Sequence, residues 1–260
     1  MQRNIAREEL GDNAGSLETK MDEAFGPEVT LMAAAALFWI VLHFVVAGSP
    51  LRWTIVGAIG EKRFRGLFAL LSLVGLVWLI VAYGMATRPD AFYGVRVVEE
   101  WMFWVPAIVM LPALTLFVGA LSTPNPTMVE GERHLAAAEP ARGVFRITRH
   151  PMLWSFLLWA ASHFLANGDL ASVFLFGSIM IVAAGGMGSI DRKQARRDPE
   201  GWRRFAAVTS VLPFSAIAAG RNKLALGEIG WWRLALAAAL WIALIAVHRL
   251  AFGVPALPYS

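Results

Sequence analysis

Five histidines, His43, His134, His150, His163 and His248, are the residues through which this chain could do chemistry. There is no cysteine, which removes disulfides, thiolate metal sites, iron–sulfur clusters and cysteine nucleophiles together. His43, His163 and His248 fall inside long apolar runs, and His150 stands just before another. Ionisable groups in such runs are costly and read as functional by default. No lysine, arginine or glutamate interrupts the middle of a run, so a carboxylate-rich zinc or di-iron site is a poor fit. Neutral imidazoles alone suit haem iron, whose apolar ring is at home among helices. The competing reading is structural, with histidines that only hydrogen-bond between helices. Ala160, Ala161, Ser162, Gly185, Gly186 and Gly188 could pack a porphyrin, although plain helix–helix packing also favours such small residues.

The elements that must position these histidines are membrane spans. Of the 260 residues, 57% are hydrophobic and only 16% charged, and the mean hydropathy is +0.56. That excludes a disordered chain and an ordinary soluble enzyme. A spanning helix needs roughly 17–25 mostly apolar residues. Six segments are candidates: Val29–Val46, Leu67–Ala86, Trp101–Leu121, Met152–Leu165, Leu170–Met187 and Trp232–Phe252. Lipid leaves no partner for an open sheet edge, so the expected fold is all-α, a polytopic membrane helical bundle of about six transmembrane helices. Its parts read as a polar N-terminal tail (1–28), a transmembrane domain (29–252) and a C-terminal tail (253–260). The first span follows an acidic, polar stretch and does not match a cleaved signal peptide.

The fourth span is short, about 21 Å at the helical rise against a core of about 30 Å. Pro151 suits its first turn, where a missing N–H costs nothing. Asn167-Gly168-Asp169 predicts a tight turn and therefore a helical hairpin. Pro106 and Pro112 are expected to bend the third span. The segment 191–232 carries a basic run from Arg192 to Arg204 and then amphipathic sequence broken by Pro213. It reads as helices at the cytoplasmic interface, with Trp202, Trp231 and Trp232 at headgroup depth.

Most of the 23 lysines and arginines fall in three alternate loops. The positive-inside bias then puts those loops in the cytoplasm and both termini outside, in the periplasm if the membrane is a bacterial inner membrane. The net charge of +4 fits loops facing an anionic bilayer surface, with no nucleic acid as partner. On this topology His43 lies about 8 Å and His163 about 18 Å from the inner side. Three pairs could share an iron: His43 with His163, His163 with His248, or His43 with His150.

A resemblance narrows the choice. Arg146-Ile147-Thr148-Arg149-His150-Pro151-Met152, Leu158-Trp159-Ala160-Ala161-Ser162-His163, Thr209-Ser210-Val211-Leu212-Pro213-Phe214 and Gly227-Glu228-Ile229-Gly230-Trp231-Trp232-Arg233, with the upstream Leu42-His43, resemble the signature of the NnrU family of polytopic membrane proteins. That family is named for an association with nitrite and nitric oxide reduction, in denitrification. It is similar to 15-cis-zeta-carotene isomerase, a haem b protein of carotenoid biosynthesis. The resemblance implies haem b, with His43 and His163 as the iron ligands. It also matches His150 and His248 to histidines of that relative. The isomerase's cysteine three residues before its second ligand is Ala160 here, its histidine pair in the following span is Val182 and Ala183, and the proline after its late histidine is Arg249.

Three functions follow as expectations. The first is a haem-binding accessory protein of nitrite and nitric oxide metabolism. The second is cis-trans isomerisation of a membrane-soluble polyene. The third is membrane methyl transfer from S-adenosylmethionine, because Arg149-His150-Pro151 followed by Asp191 and an aromatic run to Pro213 resembles isoprenylcysteine-type methyltransferases. Arg146 and Arg149 suit lipid phosphate, a haem propionate or an anionic cofactor alike. Substrate and oligomeric state are not legible.

Overall fold

The computed structural model describes residues 26–86, 99–127, 132–135 and 139–257. The expectations for most of the N-terminal tail and for the last residues of the C-terminal tail lie outside the described residues. No strand occurs among the described residues, and the chain is an all-α integral membrane protein. Its helices are α1 (Pro27–Val41), α2 (Leu51–Ile59), α3 (Glu61–Met85), α4 (Trp104–Ser122), α5 (Glu132–Leu135), α6 (Pro151–Ala166), α7 (Leu170–Arg197), α8 (Pro199–Val208), α9 (Ser215–Ala218), α10 (Leu226–Ile229) and α11 (Trp231–Phe252). Five are long and apolar enough to cross a membrane: α1 with its extension to Val46, α3, α4 with the single turn Glu100–Phe103 before it, α7, and α11. The sixth expected span, α6, is the short one, at 16 residues.

Two elements outrun their hydropathy. Helix α3 starts at Glu61, six residues before the apolar run, and α7 continues ten residues past Met187 to Arg197. Hydropathy measures what lipid tolerates. Glu, Lys, Arg and Gln are good helix formers, so a span extends as helix into the aqueous phase. Pro151 opens α6 as expected, Pro106 falls in the first turn of α4, and Pro112 lies in its interior.

The chain divides into two compact units, Met1–Val97 with Gly168–Ser178, and Val98–Asn167 with Ile179–Ser260. In the first, α1 packs on α3 where Gly75 lets Phe38 and Trp39 approach. A Cβ there would come within 2.9 Å of the Phe38 ring. Beyond Val41 the helix widens, Ala47 N–H donating to Leu42 O (3.1 Å) across five residues. Such π turns are rare and gather at functional sites; this one contains His43. Arg52, buried in α2, gives Nη2 to both Glu61 oxygens (2.6 and 2.8 Å) at the start of α3.

In the second unit α4 packs against α6, and Trp241 of α11 donates to Ala107 O of α4 (2.8 Å). A second core gathers Leu135, Val144, Phe145, Trp202, Phe205 and Ile229 with Leu116 of α4. Here the structure corrects the sequence. Trp202 is buried against Phe205, so the apolar face of α8 is spent on this protein core instead of on lipid. Trp231 is 81% exposed and Trp232 43%.

Candidate functional site

His43 and His163 share one local device. Each follows a tryptophan by four residues, one helical turn. His43 Nδ1 lies 2.8 Å from Trp39 O, and His163 Nδ1 lies 2.9 Å from Trp159 O. A carbonyl only accepts, so Nδ1 carries the proton in both rings and Nε2 carries the lone pair. The rings also pack on their tryptophans, centroids 4.3 and 5.8 Å apart, and Phe68 lies edge-on to His43 at 5.3 Å. This fixed tautomer is the arrangement by which proteins orient an imidazole ligand, with the distal nitrogen bonding backbone and the other presented to metal. The donor chemistry of each residue would therefore fit an iron ligand such as haem requires. Among the described residues no three His, Asp or Glu side chains converge as an ion site.

The other histidines differ. His248 sits in the last turns of α11, and its Nδ1 bonds Val254 O (2.8 Å) beyond the helix end. It lies in the same unit as His163. His134 belongs to the short α5, outside any span. His150 is 2% exposed at the residue preceding α6, and its Nε2 lies 2.7 Å from Asp191 Oδ1. Arg149 Nε and Nη2 lie 3.0 and 2.7 Å from Asp191 Oδ2. Beside an arginine this close, Asp191 is an ionised acceptor, so His150 Nε2 donates. His150 Nδ1 is fully buried with no hydrogen-bond partner.

Arg146 is consumed locally. Its Nε and Nη2 make a two-pronged pair with Glu228 (2.8 and 2.7 Å), Nη2 also reaches Glu139 (3.1 Å), and Nη1 donates to Asn222 Oδ1 (2.8 Å). Gly143 N–H adds a third bond to Glu228 (3.0 Å). The Arg146 hydrogen bond, ahead of the cost of burial, holds the Glu228 carboxyl below its ordinary range, and the same bond raises the Arg146 guanidinium. Both arginines read from sequence as anion receptors are thus committed to carboxylates of the chain itself. Sequence reasoning missed Glu228, Asn222 and the two tryptophan carbonyls as partners. The paired Trp-x-x-x-His spacing was the one available signal, since a contact one helical turn apart is local.

The family model described as NnrU protein matches residues 31–256. Among curated proteins, the chain is similar to the chloroplastic 15-cis-zeta-carotene isomerase of Arabidopsis thaliana, 30% identical over 207 residues, which cover 76% of this chain and 53% of that protein. The Zea mays enzyme of the same name is 29% identical over 208 residues, covering 76% and 52%. The chain therefore spans about half the length of these relatives. No solved structure matches significantly.

Proposed function

The chain belongs to the NnrU family, and from that premise we propose that it is an integral membrane cis-trans isomerase of a linear, lipid-soluble polyene of the zeta-carotene class, with haem b held by His43 and His163. The observation that carries this reading is the likeness to two curated relatives that bear the isomerase name, over three quarters of the chain. A hydrocarbon polyene reaches such a protein from the bilayer core, where its apolar helices lie. Isomerisation adds and removes no atoms, so no proton donor is needed. A ferrous haem, when bound, would supply the electron-rich iron that lowers the barrier to rotation about a conjugated double bond. The protein's own share is orientation. The Trp39 and Trp159 carbonyls fix the imidazole tautomers, and the aromatic side chains beside them keep the histidine rings from turning.

Methyl transfer is less well supported. Its cationic anchor would be Arg149, and that guanidinium is paired with Asp191. The nitrite and nitric oxide role shares the haem and differs in what meets it.

One experiment separates these readings. The chain is co-expressed in a host that accumulates 15-cis-zeta-carotene, the pigment isomers are resolved by chromatography, and the purified protein is scanned for a haem absorption band. The 15-cis isomer should be consumed by the wild type and persist with His43→Ala or His163→Ala, each variant also losing or shifting the band. An unchanged isomer profile with a haem band that moves on nitric oxide addition would return the chain to nitrogen-oxide metabolism. A colourless protein with an active isomer profile would remove haem from the proposal.

A further inference from the structure

Helix α7 leaves the membrane as one unbroken rod, so depth along it follows from the helical rise. From Leu170 to Met187 it is apolar, about 27 Å along the axis against a core of about 30 Å. The turns from there to Arg197 stand in the headgroup layer and beyond. Their first charge, Asp191, is spent on Arg149 and His150. Arg192 and Arg196, one helical turn apart, are both exposed. Their Cα atoms lie about 8 and 14 Å past Met187 along the axis. Side chains on a helix lean back toward its N-terminus. That lean carries both guanidinium groups toward a headgroup layer about 5–8 Å thick.

The two arginines differ from the others of the chain that the fold has consumed. Among the described residues neither has an ion-pair or hydrogen-bond partner. Like charges four residues apart on a helix repel, so the pair asks for an anion. The helix dipole accounts for Arg196, in the last turn of α7, but not for Arg192, which lies more than a turn from the end. Arg192 is also placed in a telling way. A Cβ built on Gly188 would lie 3.4 Å from Arg192 Nη1. The guanidinium is therefore folded back over Gly188, beside the last residue of the apolar run, instead of extending into water. Glycine has no side chain to lift it from there.

The face of α7 below these arginines is open. Ile181, Ala184 and Gly185 are exposed, so no described helix of the chain covers it. Charge decides what does. A second copy docked by two-fold symmetry would bring the same patch against itself and set Arg192 and Arg196 against their own copies. A phosphate meets the requirement that a second copy violates. It accepts charge-assisted bonds from guanidinium donors, and anionic lipids present it at the depth to which these side chains lean.

We infer that this face of α7 is a docking surface for an anionic phospholipid of the bilayer. Its phosphate lies between the Arg192 and Arg196 guanidinium groups, and its acyl chains run along Ile181, Ala184 and Gly185. The inference does not depend on the isomerase reading.

The test uses the full chain purified in detergent, with phosphatidylglycerol and phosphatidylcholine of the same acyl chains offered in equal amounts. Native mass spectrometry counts the lipid retained, and a thermal melt of each variant checks that it is folded. The wild type should retain phosphatidylglycerol in preference. Arg192→Gln combined with Arg196→Gln should reduce that preference by about five-fold for each arginine, the ordinary worth of one cation beside an anionic surface. Arg203→Gln combined with Arg204→Gln removes the same charge from exposed positions on α8 and should leave the preference unchanged. Gly188→Leu keeps every charge but lifts Arg192 from its seat, and should weaken retention. An equal loss in the two arginine pairs would overturn the site, because any surface charge would then serve. No preference in the wild type would also overturn it and leave a solvated basic face. So would a wild-type dimer that the Arg192 and Arg196 changes abolish, by showing a second copy of the chain on this face.

Discussion

His150 and Asp191 lie 41 residues apart in sequence and share a 2.7 Å hydrogen bond in the fold, with Arg149 on the other carboxylate oxygen. The three groups lock the start of α6 to the far part of α7. All are largely buried, with 1%, 18% and 16% of their side chains exposed for His150, Asp191 and Arg149. Removing one partner of such a cluster leaves an uncompensated charge in a poorly solvated place. Asp191→Asn should therefore lower stability by about 3 kcal/mol, read as a drop in the thermal midpoint of the detergent-solubilised protein. Replacing Arg149 with leucine in that background should recover part of the loss. Full additivity of the two changes would mean that the pair is not energetically coupled.

The Arg146–Glu228 pair makes a pH prediction. Arg146 hydrogen bonding holds the Glu228 carboxyl below its ordinary range. The folded value is thus lower than the unfolded one. Its stabilising contribution is complete above the unfolded value and is lost as pH falls through the folded value. Between neutral pH and the acid end of the carboxylate range, wild-type stability should fall more steeply than that of Glu228→Gln. At neutral pH the variant should be less stable by about 1 kcal/mol, a figure kept small because a third of the Glu228 side chain is exposed. Parallel pH profiles from thermal melts of the two proteins would contradict the assignment.

The sequence revealed the fold more readily than the site, for a physical reason. Lipid imposes a coarse, local constraint, so runs of apolar residues mark the spans without knowledge of any contact. It marks them imperfectly at Glu61 and Arg197, because charged helix formers extend a helix past the bilayer. Amphipathicity in α8 was visible, but whether its apolar face meets lipid or protein depends on a core assembled from distant segments, and Trp202 went to the core. The histidines stood out because they are few and their chemistry is rare in apolar surroundings. The partners of His150 and Arg146 did not. Separations of 41 and 82 residues are set by how the helices return on themselves, which spacing does not encode.

The turn Asn167-Gly168-Asp169 offers a capping test. Asp169 Oδ1 accepts the Ser172 N–H (2.8 Å) and Oδ2 accepts the Ser172 hydroxyl (2.7 Å) at the first turn of α7. The Ser172 hydroxyl also lies 3.0 Å from the Tyr83 hydroxyl of α3. Loss of a helix cap costs about 1 kcal/mol. Asp169→Ala should cost about that, and Asp169→Asn should recover most of it, because the amide oxygen still accepts the backbone bond. Melts that fail to distinguish alanine from asparagine would show that the cap does not stabilise α7.

Gly119 sets how closely α4 approaches the turn at Gly143–Arg146. A Cβ at this position would collide with both Val144 methyls, Cγ2 lying 2.8 Å away, and Val144 is completely buried. The same turn carries Arg146, and Arg149, His150 and the start of α6 follow within a few residues. Pushing it outward therefore disturbs the arginine clusters as well as the core. Gly119→Ala should destabilise by about 1–3 kcal/mol, the range for adding a carbon to a full core. If the clash is the cause, Val144→Ala in the same chain should restore part of the loss, because the space removed at one position is returned at the other. The coupling between two touching sites falls in the range of about 0.5–3 kcal/mol, within reach of thermal melts on the four proteins of a double-mutant cycle. A Gly119→Ala protein as stable as the wild type would mean that α4 and the turn are not packed as tightly as these distances require.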